Sequence, residues 1–231
     1  MIARRVMSLV LAVALFVALL ALCGTARAQS FSRLEAGEQT VTAETGLQSG
    51  IVTSLGYARG LRLGVGDRTL RTLIPFAQAS LAVAKPDLHD YAFRVGSQIS
   101  VVSVGWFDLS TQVAFGVAGT ENGIYNGTAL RTELALLAGH YGRRWFAVAE
   151  AGWARAWLTY IENGDWYRTN IYPDARDGWY SGTGGILHGG AKGGVTVGTV
   201  EFVLRAGVNK TETLQALDLP FYATVGANLR F

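Results

Sequence analysis

A chain of 231 residues, half of them hydrophobic and 16% charged, is long enough to bury a sizeable core. Its 20 basic residues against 17 acidic ones give a formal charge of +3, but Arg4, Arg5 and Arg27 supply that surplus, so the balance argues nothing for nucleic acid. The single cysteine, Cys23, lies in the same N-terminal stretch, which excludes a disulfide framework or a thiol site from the rest of the chain.

Arg4 and Arg5 precede an unbroken apolar run from Leu9 to Leu22, and Ala26-Arg27-Ala28 has the small-x-small form that signal peptidase reads. The run is short of the roughly 20 residues that a spanning helix needs. A cleaved secretory signal over residues 1 to 28 is therefore expected, and Leu22 before Cys23 is too large for a lipoprotein signal. Residues 29 to 37 are read as a short periplasmic segment, and 38 to 231 as one domain.

Beyond Gln29 the recurring signal is period-2 alternation in segments separated by Gly, Asp and Asn clusters. The segments run from 38 to 47, 50 to 64, 68 to 84, 89 to 104, 107 to 118, 128 to 141, 144 to 160, 183 to 197, 199 to 211 and 219 to 231. That predicts ten strands, with eight the alternative if the short first hairpin is misread. Every second connection is short: 65 to 68, 105 to 107, 142 to 144, and 198 to 199. The others are mostly longer and polar: 85 to 90, 119 to 127, 162 to 182, and 212 to 219, whereas 46 to 50 is short and breaks the rule. Sorting of connections by length is expected of an all-β, antiparallel, transmembrane up-and-down barrel with tight turns and both termini on the periplasmic side.

The strands sort into two faces. Val200, Phe202, Leu204, Ala206 and Val208 oppose Glu201, Val203, Arg205, Gly207 and Asn209; Phe107, Leu109, Val113, Phe115 and Val117 oppose Asp108, Ser110, Gln112 and Gly116. Trp145 and Trp153 share the apolar face, eight residues apart, a spacing on the order of 20 Å that suits the two interfaces of a bilayer. Arg155 continues that face and must lie beyond the outer girdle or follow a bulge. The inward face carries Glu44, Arg94, Arg131, Glu133, Glu150, Lys192 and Arg205. Charges inside a narrow barrel are costly unless signs alternate at one level, so Glu133, Glu150, Lys192 and Arg205 are expected to form a network across the lumen. Its main reading is a structural plug, with a gate or narrow polar pore as the alternative.

Signals for chemistry are sparse. His140 falls near the periplasmic rim, His188 points inward, and His89 lies in a connection with Asp87 and Asp90, which reads as an ordinary turn before it reads as a metal site. No catalytic residue, metal or cofactor is assigned. The outer connection holds Trp166, Tyr167, Tyr172, Trp179 and Tyr180 among Asp165, Arg168, Asp174, Arg176 and Asp177. Rings among hydrogen-bonding groups suit an extracellular glycan or protein ligand, or else pack together to close the barrel top.

The chain ends in Thr224-Val225-Gly226-Ala227-Asn228-Leu229-Arg230-Phe231. This stretch resembles the C-terminal signal of small bacterial outer-membrane β-barrel proteins: polar, any, glycine, any, any, hydrophobic, any, aromatic. The resemblance implies a Gram-negative outer-membrane location, lipid and lipopolysaccharide as surroundings, and barrel-assembly machinery reading Thr224, Gly226, Leu229 and Phe231. It identifies no subfamily. The expected role is structural or surface-interacting, with a narrow channel for small polar solutes and a lipid-modifying enzyme as alternatives.

Overall fold

The computed structural model describes residues 34 to 48, 50 to 65, 68 to 83, 90 to 121, 124 to 142, 144 to 214 and 216 to 231. The signal reading at 1 to 28, Cys23, Asp87 and His89 lie outside the described residues. The elements are β1 (Gln39–Leu47), β2 (Ile51–Arg59), β3 (Leu61–Val65), β4 (Arg68–Ala82), β5 (Tyr91–Val104), β6 (Phe107–Glu121), β7 (Tyr125–Tyr141), β8 (Trp145–Asn163), α1 (Asp165–Asn170), β9 (Gly178–Val197), β10 (Val200–Thr211) and β11 (Ala216–Arg230).

Apart from β2 and β3, consecutive strands pair antiparallel, β1 pairs with β11, and both β2 and β3 pair with β4. Strands β2 and β3 are thus two halves of one stave, and the sheet closes as a ten-stranded barrel. Closure joins the wall edge to edge through β1 and β11, while β3 has β4 as its partner among the described residues. The stave breaks at Gly60 because the N-terminal segment docks there: the Gly37 amide donates to the Gly60 carbonyl and the Gly60 amide to the Glu38 carbonyl, each at 2.8 Å. A side chain at Gly60 would strike the Glu35 carbonyl and crowd that of Leu34. This docking carries Leu34 into a buried cluster with Ala58, Ile74, Phe76 and Ala114. Of the segment read as 29 to 37, Leu34 thus enters the interior, whereas 35 to 37 stay exposed.

The rim where β1 begins and β11 ends carries the tight turns. Gly105 and Gly198 open two-residue turns with φ of 59° and 64°. Positive φ at the first central residue is the II′ geometry, whose twist matches paired strands. Toward the opposite, loop-side rim the strands run further than the alternation suggests: β6 reaches Glu121, β7 starts at Tyr125, β8 reaches Asn163 and β9 starts at Gly178. Glycine and polar residues at 119 to 127 and 178 to 182 read as loop, yet cross-strand pairing such as Thr120↔Gly127 and Tyr160↔Trp179 holds them in the ladder.

The wall is inside out relative to a water-soluble core. Outward residues Phe115, Leu204 and Val225 are 60%, 63% and 56% exposed, whereas inward Glu201, Asn228 and Arg230 are buried. Rings cluster at both ends of this apolar wall. Near the turn-side rim the ring centroids of Trp106 and Phe107 lie 6.2 Å apart, and those of His140 and Trp145 lie 4.6 Å apart, with His140 Nδ1 donating to the Trp106 carbonyl at 2.8 Å. Nearer the loops, Trp153 meets Trp157 edge-on at 6.1 Å and Tyr160 meets Trp179 at 5.3 Å. Arg155 lies between these rings, its guanidinium 5.0 Å from the Trp157 ring centroid and 3.7 Å from Glu212. The bulge comes after Arg155, at Trp157, so it does not turn Arg155 inward; Glu212 and the indole ring take its charge instead.

Candidate functional site

The lumen divides into two halves of different chemistry. In the turn-side half, one apolar cluster is the Leu34 group and a second joins Leu137, Tyr141, Phe146, Val148 and Val203. Polar groups at that end are mutually engaged: Asp108 accepts from Ser100 and Ser110, Asn228 Nδ2 donates to Glu201 at 2.6 Å, and Arg230 pairs with Glu38. Water filling a pore would leave these inward groups accessible. Instead Thr40 and Ser110 are 0% exposed, and Leu34, Ile74 and Tyr141 no more than 2%.

The loop-side half is a cavity of about 750 Å³ that reaches the rim at Gln48, Asp90, Thr120 and Tyr125. All seven charged residues expected inside the barrel line it. Their side chains keep partial access to water, 24% for Arg94, 30% for Arg131 and 21% for Arg205. Their ion pairs do not stop at Glu133, Glu150, Lys192 and Arg205 but draw in Glu44, Arg94 and Arg131. Glu133 pairs with Arg94 and, at 3.3 Å, with Arg131. Glu150 Oε1 accepts from Arg205 Nε at 2.6 Å and from the Tyr222 hydroxyl. Lys192 lies 3.9 Å from Glu44.

Register explains the grouping. Arg94 on β5 reaches Glu133 on β7 across Gly116 and Ala114 of β6, which occupy the intervening inward positions. Tyr222 on β11 reaches Glu150 on β8 across Gly207 and Gly190; a Cβ would fall 2.4 Å from the tyrosine hydroxyl at Gly207 and 2.5 Å from it at Gly190. Small inward residues form troughs along which long side chains cross. Sequence reasoning counts depth along each strand, but cannot see which trough joins which pair.

Tyr222 and Gln78 belong to these groups and escaped the sequence reading. Arg94 donates to Gln78 Oε1 from Nε at 2.9 Å and from Nη2 at 2.5 Å. A neutral residue on the same inward face carries no charge to draw attention, although alternation places it there. His188 faces inward, opposite Gly152, with its ring edge-on to Tyr222 at 6.4 Å; Ser181 lies further up, opposite Leu158.

The outer connection does not line the cavity. Its turns are pinned: Asp177 pairs with Arg168 and accepts from the Asn163 amide at 2.8 Å, and the Tyr180 hydroxyl donates to the Arg176 carbonyl at 2.6 Å. The Arg168 guanidinium, then the Asn163 amide, hold the Asp177 carboxyl down at about 2. Trp166, Tyr172, Trp179 and Tyr180 are exposed and Tyr167 partly so. Among the described residues, the ring contact found for this group is that of Trp179 with Tyr160.

At the seam, Thr224 is buried inside, Gly226 lies opposite Glu44, Leu229 opposite Val41, and Phe231 points outward. Phe231 also completes the ladder, exchanging backbone hydrogen bonds with Gln39 at 3.0 and 3.1 Å. Asp90 accepts from the Glu121 amide at 3.2 Å at the cavity mouth.

No family model and no curated protein matches the sequence. Solved structures do match, among them a chain from work described as "Unveiling the Mechanism Behind the in-meso Crystallization of Membrane Proteins". It shares 10% identity and a TM-score of 0.36 over 84% of this chain and 83% of that one. A likeness of that size transfers nothing to this chain, and the barrel stands on its own strand pairing.

Proposed function

We propose that the chain is a small outer-membrane barrel with a structural or surface-interaction role, its termini periplasmic and its lumen closed to steady conduction. The observation that carries this is the exposed apolar wall bounded by two sets of aromatic rings around a polar, ion-paired interior. An apolar surface that encircles the barrel is far beyond what a soluble monomer leaves in water. Only a closed ladder satisfies every backbone group in hydrocarbon, and aromatic girdles are expected where the chain crosses each interface. The buried turn-side half supports a closed lumen over the narrow-channel reading. Trp166, Tyr172 and Trp179, exposed on a pinned scaffold, are the side chains that would meet an extracellular glycan or protein.

The test is depth-resolved quenching of tryptophan fluorescence in vesicles of phosphatidylcholine brominated at defined acyl positions. Single-tryptophan variants retaining Trp145 or Trp153 should be quenched most by bromines near the interfaces. Equal quenching at all depths, or a monomer that stays in solution without detergent, would contradict the reading.

A further inference from the structure

The charges lining the loop-side cavity are not matched place by place. Glu150 answers Arg205, and Glu44 faces Lys192, but Glu133 alone serves both Arg94 and Arg131. Arg94 is fully employed, its Nε and Nη2 on Gln78 and its Nη1 on Glu133. Arg131 reaches Glu133 from Nη2 only, at 3.3 Å, and its buried Nε finds no hydrogen-bond acceptor among the described residues. With Asp90 at the mouth the lining balances four cations with four carboxylates, but Arg131 keeps guanidinium capacity that Glu133 does not fill. Of the acids, Glu133 and Glu150 each serve two donors, Glu44 faces Lys192 and Asp90 takes the Glu121 amide.

We propose that this cavity is a binding cup for a small organic oxyanion, a carboxylate or a phosphate monoester, held by Arg131 with its body among Phe76, Tyr91 and Tyr125. A guanidinium fork presents parallel N–H groups to two oxygens of such a group, and the hydrogen bonds are charge-assisted. The volume of about 750 Å³ lies within the range of small-molecule sites, and those three rings on the lining offer apolar contact beside the charge. The mouth at Gln48, Asp90 and Tyr125 faces the loop side, so ligand enters from there. The proposal rests on the lumen being closed at its turn-side end, which makes the cavity a cup and not a passage.

The experiment uses the full chain folded in dodecyl maltoside micelles and follows the ¹⁹F resonances of 4-fluorobenzoate, 4-fluorophenyl phosphate and 4-fluorobenzylamine. Saturable binding of either anion, with none of the amine, is expected. Arg131→Gln should weaken it by about tenfold to a hundredfold, the worth of a hydrogen bond to a charged group, whereas Arg131→Lys retains part and Arg155→Gln on the outer wall changes nothing. The proposal fails if neither anion binds the wild type saturably, if the amine binds equally well, or if folded Arg131→Gln keeps wild-type affinity. If Arg131→Gln does not fold, the wild-type preference for anion over amine decides. A steady conductance would overturn the closed lumen without touching the anion result, so the two failures are distinguishable.

Discussion

Glu150→Gln removes one charge from the barrel interior while keeping the size of the side chain and a carbonyl for the Tyr222 hydroxyl. In the wild type, Glu150 Oε1 lies 2.6 Å from Arg205 Nε. At an effective dielectric of about 20 that contact is worth roughly 6 kcal/mol of gross attraction. Neutralising Glu150 recovers its own desolvation cost, and the Arg205 side chain, 21% exposed, lets water relieve part of the stranded charge. A net loss of about 2 to 4 kcal/mol follows, somewhat below the usual cost of breaking a fully buried pair. Reversible urea unfolding in phosphatidylcholine vesicles, followed by tryptophan fluorescence, measures it. Tyr222→Phe should cost about 1 to 3 kcal/mol, because it leaves Glu150 with one donor fewer. Glu150→Gln combined with Arg205→Met should cost less than the two single losses added, since neither charge is then stranded. A Glu150→Gln variant within about 1 kcal/mol of wild type would refute the reasoning.

Leu34→Ala should destabilise by about 2 to 4 kcal/mol, measured by the same unfolding, because it empties a site at the centre of the turn-side cluster; Gly60→Ala, which blocks docking of the same segment, should lower stability too. Deletion of Phe231 removes the two backbone hydrogen bonds to Gln39, about 1 to 3 kcal/mol, and should reduce the heat-modifiable assembled fraction more than Phe221→Leu does; equal assembly would leave Phe231 an ordinary strand residue. In the outer connection Asp177 is held at about 2 against an unfolded value of roughly 3.9. Its folded value is depressed, so its contribution is complete above the unfolded value and is lost as pH falls through about 2. The protection factor of the Asn163 amide should therefore hold from pH 7 to about 4 and collapse only toward pH 2, and Asp177→Asn should expose Arg168 and Arg176 to trypsin at pH 7.

Alternation made the barrel legible because each strand has one apolar and one polar face. The two faces of 107 to 117 and of 200 to 209 are those of the sequence, down to buried Asp108 and exposed Leu204. The grouping of the charges was not legible, because it depends on which small residues lie between strands. Glu133 and Glu150 are both inward and both near strands carrying arginine, yet Gly116 opens one route and Gly190 another. The apolar interior of the turn-side half was also missed. Ile74, Phe76, Phe146, Val148 and Val203 sit on the polar face of their strands as exceptions to the alternation, and they belong to the two buried clusters of that half. Leu34 carried no periodic signal, since its segment enters the barrel through turns and not through a strand. The outer rings were legible as part of a long connection but not as packed or exposed, because the Arg168–Asp177 pair that pins them spans a connection whose conformation no short-range pattern dictates.

The closed lumen is tested most directly by recording current across a planar phosphatidylcholine bilayer into which purified wild-type protein has inserted, with insertion verified by recovery of the folded barrel from the bilayer. The account predicts no steady step of conductance, because among the described residues Leu34, Ile74, Tyr141 and Phe146 are buried together in the turn-side half. A stable, ohmic channel from the wild-type chain would contradict it.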